Sequence, residues 1–130
     1  GVTSDPRYSR ITIVTSGDEE ILDQIEKQVA KLVDIRDIRE LKPEKSVYRE
    51  LCLIKVRSTP ENRQGVIAVA YIFRAKIVDV NVDSLIVELT GNQSKIQAFI
   101  DLLQDYEILE IARTGIAGLG RGTENLVHLE

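Results

Sequence analysis

The sequence predicts an α+β fold built from consecutive βαββαβ modules, the first of which lacks its start. Two observations support this prediction. Residues 48–113 show strand and helix patterns in the order strand, helix, strand, strand, helix, strand. Residues 11–39 repeat the spacing of residues 85–113, which form the second half of that order. The complete order is the split βαβ arrangement of ferredoxin-like folds, so we expect tandem ferredoxin-like modules.

The first predicted strand covers residues 8–15. Ile11 and Ile13 alternate with Thr12 and Val14, which is the period of a strand with two different faces. The alternation predicts which side chains share a face.

A helix is predicted after Gly17. The acidic residues 18–20 suit the positive end of a helix dipole, and Asp23 precedes Lys27 by four residues, the favourable order for an ion pair. Apolar residues recur at helical spacing on one face: Ile21, Leu22, Ile25, Val29 and Leu32. Residues 34–41 alternate again, with an irregularity between Ile35 and Ile38, and residues 43–46 form a charged linker.

The second module begins with a strand at residues 48–57. Apolar side chains on both of its faces predict a central, covered strand. Ser58 and Glu61 have the spacing of a capping box, and Pro60 fits the first turn of the helix that follows. The buried stripe predicted for this helix is Val66, Val69, Ala70 and Phe73.

A hairpin, a helix and a last strand complete the module. Residues 76–82 and 85–90 are predicted strands joined by a two-residue turn at Asp83 and Ser84, of a type that the sequence leaves open. The next helix is marked by Ile96, Phe99, Ile100 and Leu103. The last strand covers residues 107–113, and the glycine-rich residues 115–122 close the domain.

The internal repeat indicates that the first module is only half present. Ile11, Ile13, Gly17, Leu22, Ile25 and Val29 align at one offset with Leu85, Val87, Gly91, Ile96, Phe99 and Leu103. Shared alternation accounts for part of this match, but the glycine before each capped helix favours a true repeat. A helix on two strands buries one thin face and is marginal alone. We therefore expect the missing strand and helix to precede Gly1 in the natural protein, rather than a second chain to supply the cover.

Size and composition exclude several classes of protein. The 130 residues, 43% of them hydrophobic, suffice for one ordinary core or two small ones. The 17 basic and 21 acidic residues give a net charge of −4 with the signs interspersed, which disfavours nucleic-acid binding. A single cysteine, Cys52, excludes an internal disulfide and indicates a reducing compartment. No apolar stretch approaches the roughly 20 residues of a membrane-spanning helix.

The residues needed for catalysis or metal binding are scarce. Cys52 and His128 are the only cysteine and histidine, so no Cys/His metal cluster is possible. Cys52 is interpreted as a small core hydrophobe rather than a nucleophile paired with a tail histidine. The carboxylates at positions 18–20 and 23 are interpreted as helix-start and surface charges rather than an acid/base pair. We therefore predict no catalytic residue and no metal ligand.

Two short motifs have both a functional and a structural interpretation. Residues 118–122 are glycine-rich, but they follow the last strand and open no predicted helix, so an exit loop is favoured over a phosphate-binding loop. Asn92, Gln93 and Ser94 fit a glycosylation acceptor, but a plain helix cap is favoured. What remains is a scaffold suited to binding and assembly.

Short segments that match one protein family run in order from about Thr3 to Gly122: residues 24–28, 31–34, 49–51, 53–56, 72–76, 77–80, 89–91, 95, 98–99 and 110–115. In these segments the chain resembles the regulatory small subunit of acetohydroxyacid synthase (acetolactate synthase), an ACT-domain family. The last segment is the most specific. It contains Arg113, Thr114 and Gly115, which we take as family-signature residues without an assigned role.

The resemblance implies a domain organisation and a function. It implies a partial ACT domain at residues 1–45, a C-terminal ferredoxin-like domain at residues 46–122 and a tail at residues 123–130. Members of this family have no active site. They bind and activate the large catalytic subunit and confer feedback inhibition by branched-chain amino acids, usually valine, in valine, leucine and isoleucine biosynthesis.

The resemblance also implies partners, cofactors and a location. Thiamine diphosphate, Mg and FAD belong to the large subunit, and no cofactor is expected in this chain. ACT modules of the family pair edge to edge into homodimers that hold the effector at the interface. The implied location is the cytoplasm, or the plastid stroma in a photosynthetic eukaryote. No partnership with nucleic acid or membrane is expected.

One departure and two alternatives accompany the resemblance. The family holds its effector with elements that precede the turn matched here by residues 1–6, so the effector-binding residues are unknown. The main alternative is an ACT-type amino-acid sensor for a different enzyme or a transcription regulator, although no basic DNA-reading helix is visible. A small enzyme on a ferredoxin-like fold is the other, which the scarcity of His and Cys disfavours.

Overall fold

The structure, a computed structural model, describes residues 3–4, 6–15, 17–32, 34–35 and 37–123. The chain divides into two units. The smaller comprises Gly1–Val47 and Gly118–Glu130, and the larger is Tyr48–Ala117. The predicted domain limits at residues 45 and 122 stay a prediction.

The smaller unit contains one α-helix, α1, at Glu19–Ala30. Asp18 caps it, because its carboxylate accepts the amide hydrogen of Ile21 at 2.9 Å. Lys27 and Asp23 form the predicted i, i+4 ion pair at 3.0 Å. A 3₁₀ turn at Pro43–Lys45 leads into the first strand. The helix predicted after Gly17 and its acidic start are therefore confirmed.

The two strands predicted beside α1 are wrong for the described residues. Tyr8 makes an isolated bridge, and residues 9–15 and 37–42 form no strand. Ile11, Ile13 and Val14 are 61–76% exposed. Alternation assigns side chains to faces, but a strand also needs a neighbour whose backbone groups complete the hydrogen-bonded ladder.

The larger unit has the predicted βαββαβ order, which confirms the α+β, ferredoxin-like fold class. Its elements are β1 (Ser46–Arg57, which starts just before the unit), α2 (Arg63–Ile72), β2 (Lys76–Val80), β3 (Ser84–Gly91), α3 (Gln93–Leu103) and β4 (Ile108–Arg113). The sheet order is β2-β3-β1-β4, and β1 pairs antiparallel with both neighbours. β1 is therefore central, as predicted.

The core of the described residues lies between the sheet and the two helices of the larger unit. Alternate residues of β1, namely Cys52, Ile54 and Val56, are fully buried, whereas Leu51 and Leu53 on the other face are only half-buried. The remaining buried apolar residues are Val66, Ala70, Leu85, Val87, Leu89, Ile96, Phe99, Ile100 and Leu103. The rings of Phe73 and Phe99 pack in a tilted arrangement, with centroids 5.1 Å apart and an interplanar angle of 59°. The stripes predicted for α2 and α3 and the core position of Cys52 are confirmed. The apolar face predicted for the first helix is not, because α1 has no buried residue and Leu32 lies beyond its last residue, Ala30.

The reciprocal pairing expected of Ser58 and Glu61 is made one residue later, by Thr59 and Asn62, in the turn that leads into α2 at Arg63. Thr59 Oγ1 accepts the amide hydrogen of Asn62 at 3.2 Å, and Asn62 Oδ1 accepts that of Thr59 at 2.7 Å. Ser58 is instead buried, where its hydroxyl accepts a hydrogen bond from Arg63 Nε at 2.9 Å. Ser58 continues the buried alternation of β1, so it is turned inward and is unable to cap the helix.

The hairpin turn and the exit segment also differ from prediction. The amide of Asn81 donates to the carbonyl of Ser84 at 2.9 Å, so the loop residues are Val82 and Asp83 rather than Asp83 and Ser84. β2 has a bulge between Ile77 and Asp79, which a pattern of alternation does not locate. Residues Ala117–Gly120 form a short strand, β5, that pairs with β1, where a flexible loop was predicted.

Candidate functional site: the junction of β1 and β4

The family-signature residues lie where β4 ends beside β1. The two strands pair with Cys52 opposite Arg113 and Leu53 opposite Ala112. This register brings Arg113 to the end of the ladder and places Thr114 next to Leu51. The structure therefore brings Arg113 and Thr114 onto β1, and Gly115 continues away from it.

Arg113 forms a two-point ion pair with Glu50. Its Nε donates to Glu50 Oε1, and its Nη2 donates to Glu50 Oε2 at 3.1 Å. The side chain of Glu50 is 4% exposed and that of Arg113 is 31% exposed. A buried carboxylate loses its hydration, so the paired guanidinium is what makes this position tolerable. The hydrogen bond to Glu50 raises the pKa of Arg113.

Thr114 extends the pairing beyond the last ladder residue. Its amide donates to the carbonyl of Leu51 at 3.1 Å, and the amide of Leu51 donates to Thr114 Oγ1 at 3.1 Å. The hydroxyl itself lies 2.9 Å from the carbonyl oxygen of Gly115, to which it donates. The side chain of Thr114 thus accepts a hydrogen bond from the backbone amide of Leu51, which has no partner in the strand ladder.

Gly115 permits the turn that follows. Its φ is +82°, a left-handed conformation that side chains with a Cβ rarely adopt. A Cβ at Gly115 would meet no atom within 4 Å, so the requirement comes from the backbone and not from packing. The three signature residues therefore have three structural roles. Arg113 forms the ion pair with Glu50, Thr114 ends the hydrogen-bonded ladder, and Gly115 allows the chain to turn away from β1.

Glu50 is the site residue that the sequence interpretation did not identify. It lies in the resembling segment at residues 49–51, but its role comes from geometry. Glu50 shares the inward-facing alternation of Cys52, Ile54 and Val56. An acidic residue at the end of a buried row needs a cation nearby, and this pattern was visible in the sequence. What the sequence lacks is the register that selects Arg113 as that cation.

Cys52 lies next to this ion pair, in surroundings that disfavour the reactive thiolate form of its side chain. Its side chain is fully buried. Burial raises the pKa of the thiol, with an opposing effect of Arg113 and a further increase from Glu50. Since the thiolate is the reactive form, these surroundings suit a packing role.

The sheet face away from the helices carries two cross-strand ion pairs. Lys55 Nζ lies 2.7 Å from Glu110 Oε2, and Arg57 Nε lies 2.6 Å from Glu107 Oε2. The hydrogen bond between Lys55 and Glu110 raises the pKa of the lysine and lowers that of the glutamate. These pairs connect β1 with β4 and with the segment just before it. They leave a face of mixed apolar and charged character.

The other motifs have structural roles where the structure describes them. Asn92 caps α3, since its Oδ1 accepts the amide hydrogen of Lys95 at 2.9 Å, as predicted. The glycine-rich residues 118–122 do not lead into a helix within the described residues, which end at residue 123. His128 and the predicted tail lie outside the described residues. Across the described ranges, no three or more His, Cys, Asp or Glu side chains gather as metal ligands. No helix of these ranges is long and apolar enough to cross a membrane.

The fold and the site together define a ferredoxin-like protein whose charged side chains at the β1–β4 junction tie strands to one another. Residues 49–122 match the family model described as the small subunit of acetolactate synthase. The chain therefore belongs to the family of acetolactate synthase small subunits. The resemblance predicted from the sequence is confirmed.

Similar proteins agree with this membership. The chain is 46% identical to a probable acetolactate synthase small subunit of Archaeoglobus fulgidus, over 95% of this chain and 77% of the relative. It is 44% identical to the small subunit of acetolactate synthase isozyme 3 of Salmonella typhimurium, over 92% and 74%. The crystal structure of the small subunit from Thermotoga maritima is 44% identical, with a TM-score of 0.76, over 83% of this chain and 68% of that one.

Proposed function

We propose that this chain is a non-catalytic regulatory subunit that activates the catalytic subunit of acetolactate synthase. The observation that carries the proposal is the family match over residues 49–122, supported by relatives of both bacterial and archaeal origin. The site adds a physical argument. Glu50 and Arg113 are occupied by their hydrogen bonds to each other, and Thr114 is occupied by the backbone amide of Leu51, so all three act as structural supports.

The catalytic chemistry then belongs to the partner. Thiamine diphosphate, Mg and FAD are cofactors of the large subunit, where two pyruvates, or pyruvate and 2-oxobutyrate, are condensed. This chain contributes a folded surface that favours the active arrangement of the large subunit. A coupling free energy of about 1–3 kcal/mol, the usual range of allosteric effects, gives a 5- to 150-fold change in the partner's equilibrium.

The regulatory signal is a branched-chain amino acid, with valine as the first candidate. Feedback inhibition requires an effector that binds two states of the complex with different affinity. We place the effector at a homodimer interface of the first module. The single buried cysteine and the bacterial and archaeal relatives support a cytoplasmic location.

The test is the activity of a purified catalytic subunit with increasing amounts of the regulatory chain. The regulatory protein is expected to raise the activity of the catalytic subunit to a saturating level, and added valine is expected to lower it again. Absence of stimulation contradicts the proposal.

A pulldown distinguishes a regulatory subunit of acetolactate synthase from an amino-acid sensor that regulates a different enzyme or a transcription regulator. The expected partner, identified by mass spectrometry after capture from the native organism, is the acetolactate synthase large subunit. Recovery of a transcription regulator in its place, with no large subunit bound, favours the alternative.

A further inference from the structure

The segment after β4 returns to the smaller unit. The chain leaves that unit after Val47 and re-enters it at Gly118. β5, at Ala117–Gly120, pairs with β1, and the amide of Arg121 donates to the carbonyl of Lys45 at 2.8 Å. The larger unit is therefore inserted into the sequence of the smaller one, and two segments of chain join the two units.

β5 is the strand that pairs with the first residues of β1. β3 is matched with β1 from Glu50 onward, and β4 is matched with it from Cys52 onward. The backbone hydrogen bonds on either side of β5 reach Leu51 and Lys45, so the intervening residues of the two segments lie antiparallel and opposite each other. Residues 45–49, which carry the chain from the smaller unit to the larger, are thus one strand of a two-stranded ribbon.

Two glycines leave one face of β5 without side chains. Gly118 is buried, and a Cβ at Gly120 would lie 4.0 Å from Leu41 Cδ2. Glycine inside a strand marks a place where other atoms approach the backbone closely. Ser46, at the start of β1, is the other buried residue of the smaller unit within the described ranges. The glycine-rich motif is therefore suited to close pairing of β5 with the start of β1.

The ribbon is only marginally stable. A two-stranded antiparallel pair is marginal in water, and glycine loses more conformational entropy on folding than any other residue. Leu119, the largest apolar side chain of β5, is 57% exposed and adds little buried area. The paired and unpaired states of the ribbon are therefore close in free energy, and the ribbon opens without unfolding of the larger sheet.

We propose that residues 117–121 form a strap that sets the stiffness of the connection between the two units. When the strap is paired, residues 45–49 are held in a ribbon. When the strap detaches, these residues become a single extended linker, and the two units move independently. A ligand or partner that binds only one of these two states would shift the balance between them.

Hydrogen–deuterium exchange of the complete 130-residue chain, followed by mass spectrometry, reports the opening of the ribbon. Arg121→Pro removes the amide that donates to Lys45 and is expected to speed exchange in residues 45–49 about tenfold. Arg121→Ala keeps this amide and is the matched control, which is expected to exchange as the wild type does. Exchange along β3 should be the same in all three proteins, because its ladder with β1 begins only at Glu50.

Gly120→Ala is expected to act in the opposite direction. The backbone at Gly120 lies outside the left-handed region, and an added Cβ would be at an ordinary contact distance from its nearest neighbour, Leu41. Alanine there restricts the unpaired strap without straining the paired one, so exchange of residues 45–49 should slow by about two- to fivefold. Faster exchange in this variant would contradict the proposed pairing.

A disulfide tests the register of the ribbon by a second route. Residues 45 and 121 lie directly opposite each other, and hydrogen-bonded opposite residues have Cα atoms about 5.5 Å apart, within reach of a disulfide. Lys45→Cys/Arg121→Cys is expected to cross-link under mild oxidation, which peptide mapping without reduction detects, and to protect residues 45–49 from exchange. Lys45→Cys/Thr123→Cys is the matched control and should cross-link much more slowly. Cys52 is fully buried and does not compete.

Four further results would overturn the proposal. Unchanged exchange of residues 45–49 in Arg121→Pro excludes a strap, and equal acceleration in Arg121→Ala assigns the effect to the arginine side chain. Acceleration in Arg121→Pro that extends equally along β3 means that the segment supports the larger unit as a whole. Equal cross-linking rates of the two cysteine pairs exclude this register. The inference does not rest on the proposed function, and each can fail while the other stands.

Discussion

The hydroxyl of Tyr106 occupies the space that a Cβ at position 65 would need. Tyr106 lies in the loop between α3 and β4, and Gly65 lies in the first turns of α2. An added Cβ at Gly65 would lie 3.1 Å from Tyr106 Cζ and still nearer the hydroxyl oxygen. The glycine therefore allows the tyrosine ring, which packs against the core, to approach the helix backbone.

Replacing Gly65 is expected to destabilise the larger unit despite the better helix propensity of alanine. Gly65→Ala would gain about 1 kcal/mol at an unhindered helix position, but overpacking costs about 1–3 kcal/mol. We expect a net loss in urea unfolding. Gly65→Ala in a Tyr106→Phe background should lose less, because the hydroxyl is gone. Gln64→Ala, at the exposed neighbouring position, is the control. Equal losses in both backgrounds would contradict the steric explanation.

Removing the partner of Glu50 is expected to be more damaging than removing both charges. Arg113→Ala leaves a nearly buried carboxylate unpaired, and we expect it to lower the free energy of unfolding by about 2–3 kcal/mol. The value lies below that of a fully buried pair because Arg113 is 31% exposed. Glu50→Gln/Arg113→Ala should recover part of the loss. A double variant that is less stable than Arg113→Ala alone would exclude the desolvation argument.

The ion pair of Lys55 and Glu110 predicts a pH-dependent contribution to stability. The pKa of Glu110 is lowered from its ordinary value of 4.5, so the unfolded state binds the proton more readily. The contribution of Glu110 is therefore complete above pH 4.5 and is lost as the pH falls through the lowered pKa. At pH 7, Glu110→Gln should be less stable than the wild type in urea unfolding, and this difference should shrink in acid.

Salt provides the control for this pair. The side chain of Glu110 is exposed and that of Lys55 is partly exposed, so high ionic strength should reduce the difference between the wild type and Glu110→Gln at pH 7. A difference that is independent of both pH and salt would mean that Glu110 acts through packing.

The start of α2 gives a test that separates two capping arrangements. The structure predicts that Thr59→Ala costs about 1 kcal/mol, because it leaves the amide of Asn62 without the hydroxyl of Thr59. Glu61→Ala is expected to be nearly neutral in thermal unfolding, since the reciprocal bond comes from Asn62. The opposite order of effects would restore the capping box that the sequence predicted for Ser58 and Glu61.

The sequence was most informative where pattern and packing agree. The larger unit has strong periodicity in every element, and the buried positions of β1, α2 and α3 follow from it. The family-signature residues Arg113, Thr114 and Gly115 were also identified from the sequence. Their roles required the register of β1 against β4, because side chains 63 residues apart meet only through that pairing.

The misplaced features depend on information that a linear pattern lacks. Whether residues 8–15 form a strand depends on a neighbour and not on alternation. The capping residue of α2 depends on whether Ser58 faces inward or toward the helix. The hairpin loop depends on the register between β2 and β3, and the bulge near Val78 changes that register. In each case, a tertiary contact selects between two locally acceptable conformations.

The distribution of buried side chains has a consequence for how the chain opens. All core residues in the described part of the chain lie between Cys52 and Leu103, whereas α1 contains no buried residue. An amphipathic helix of twelve residues has little stability of its own without a packed apolar face. Backbone amides of α1 should therefore exchange with deuterated solvent by local fraying, while amides of β3 and of the β1 residues opposite it, 50–57, wait for global unfolding. Hydrogen–deuterium exchange is therefore expected to be fast along α1 and slow along β3 and this part of β1.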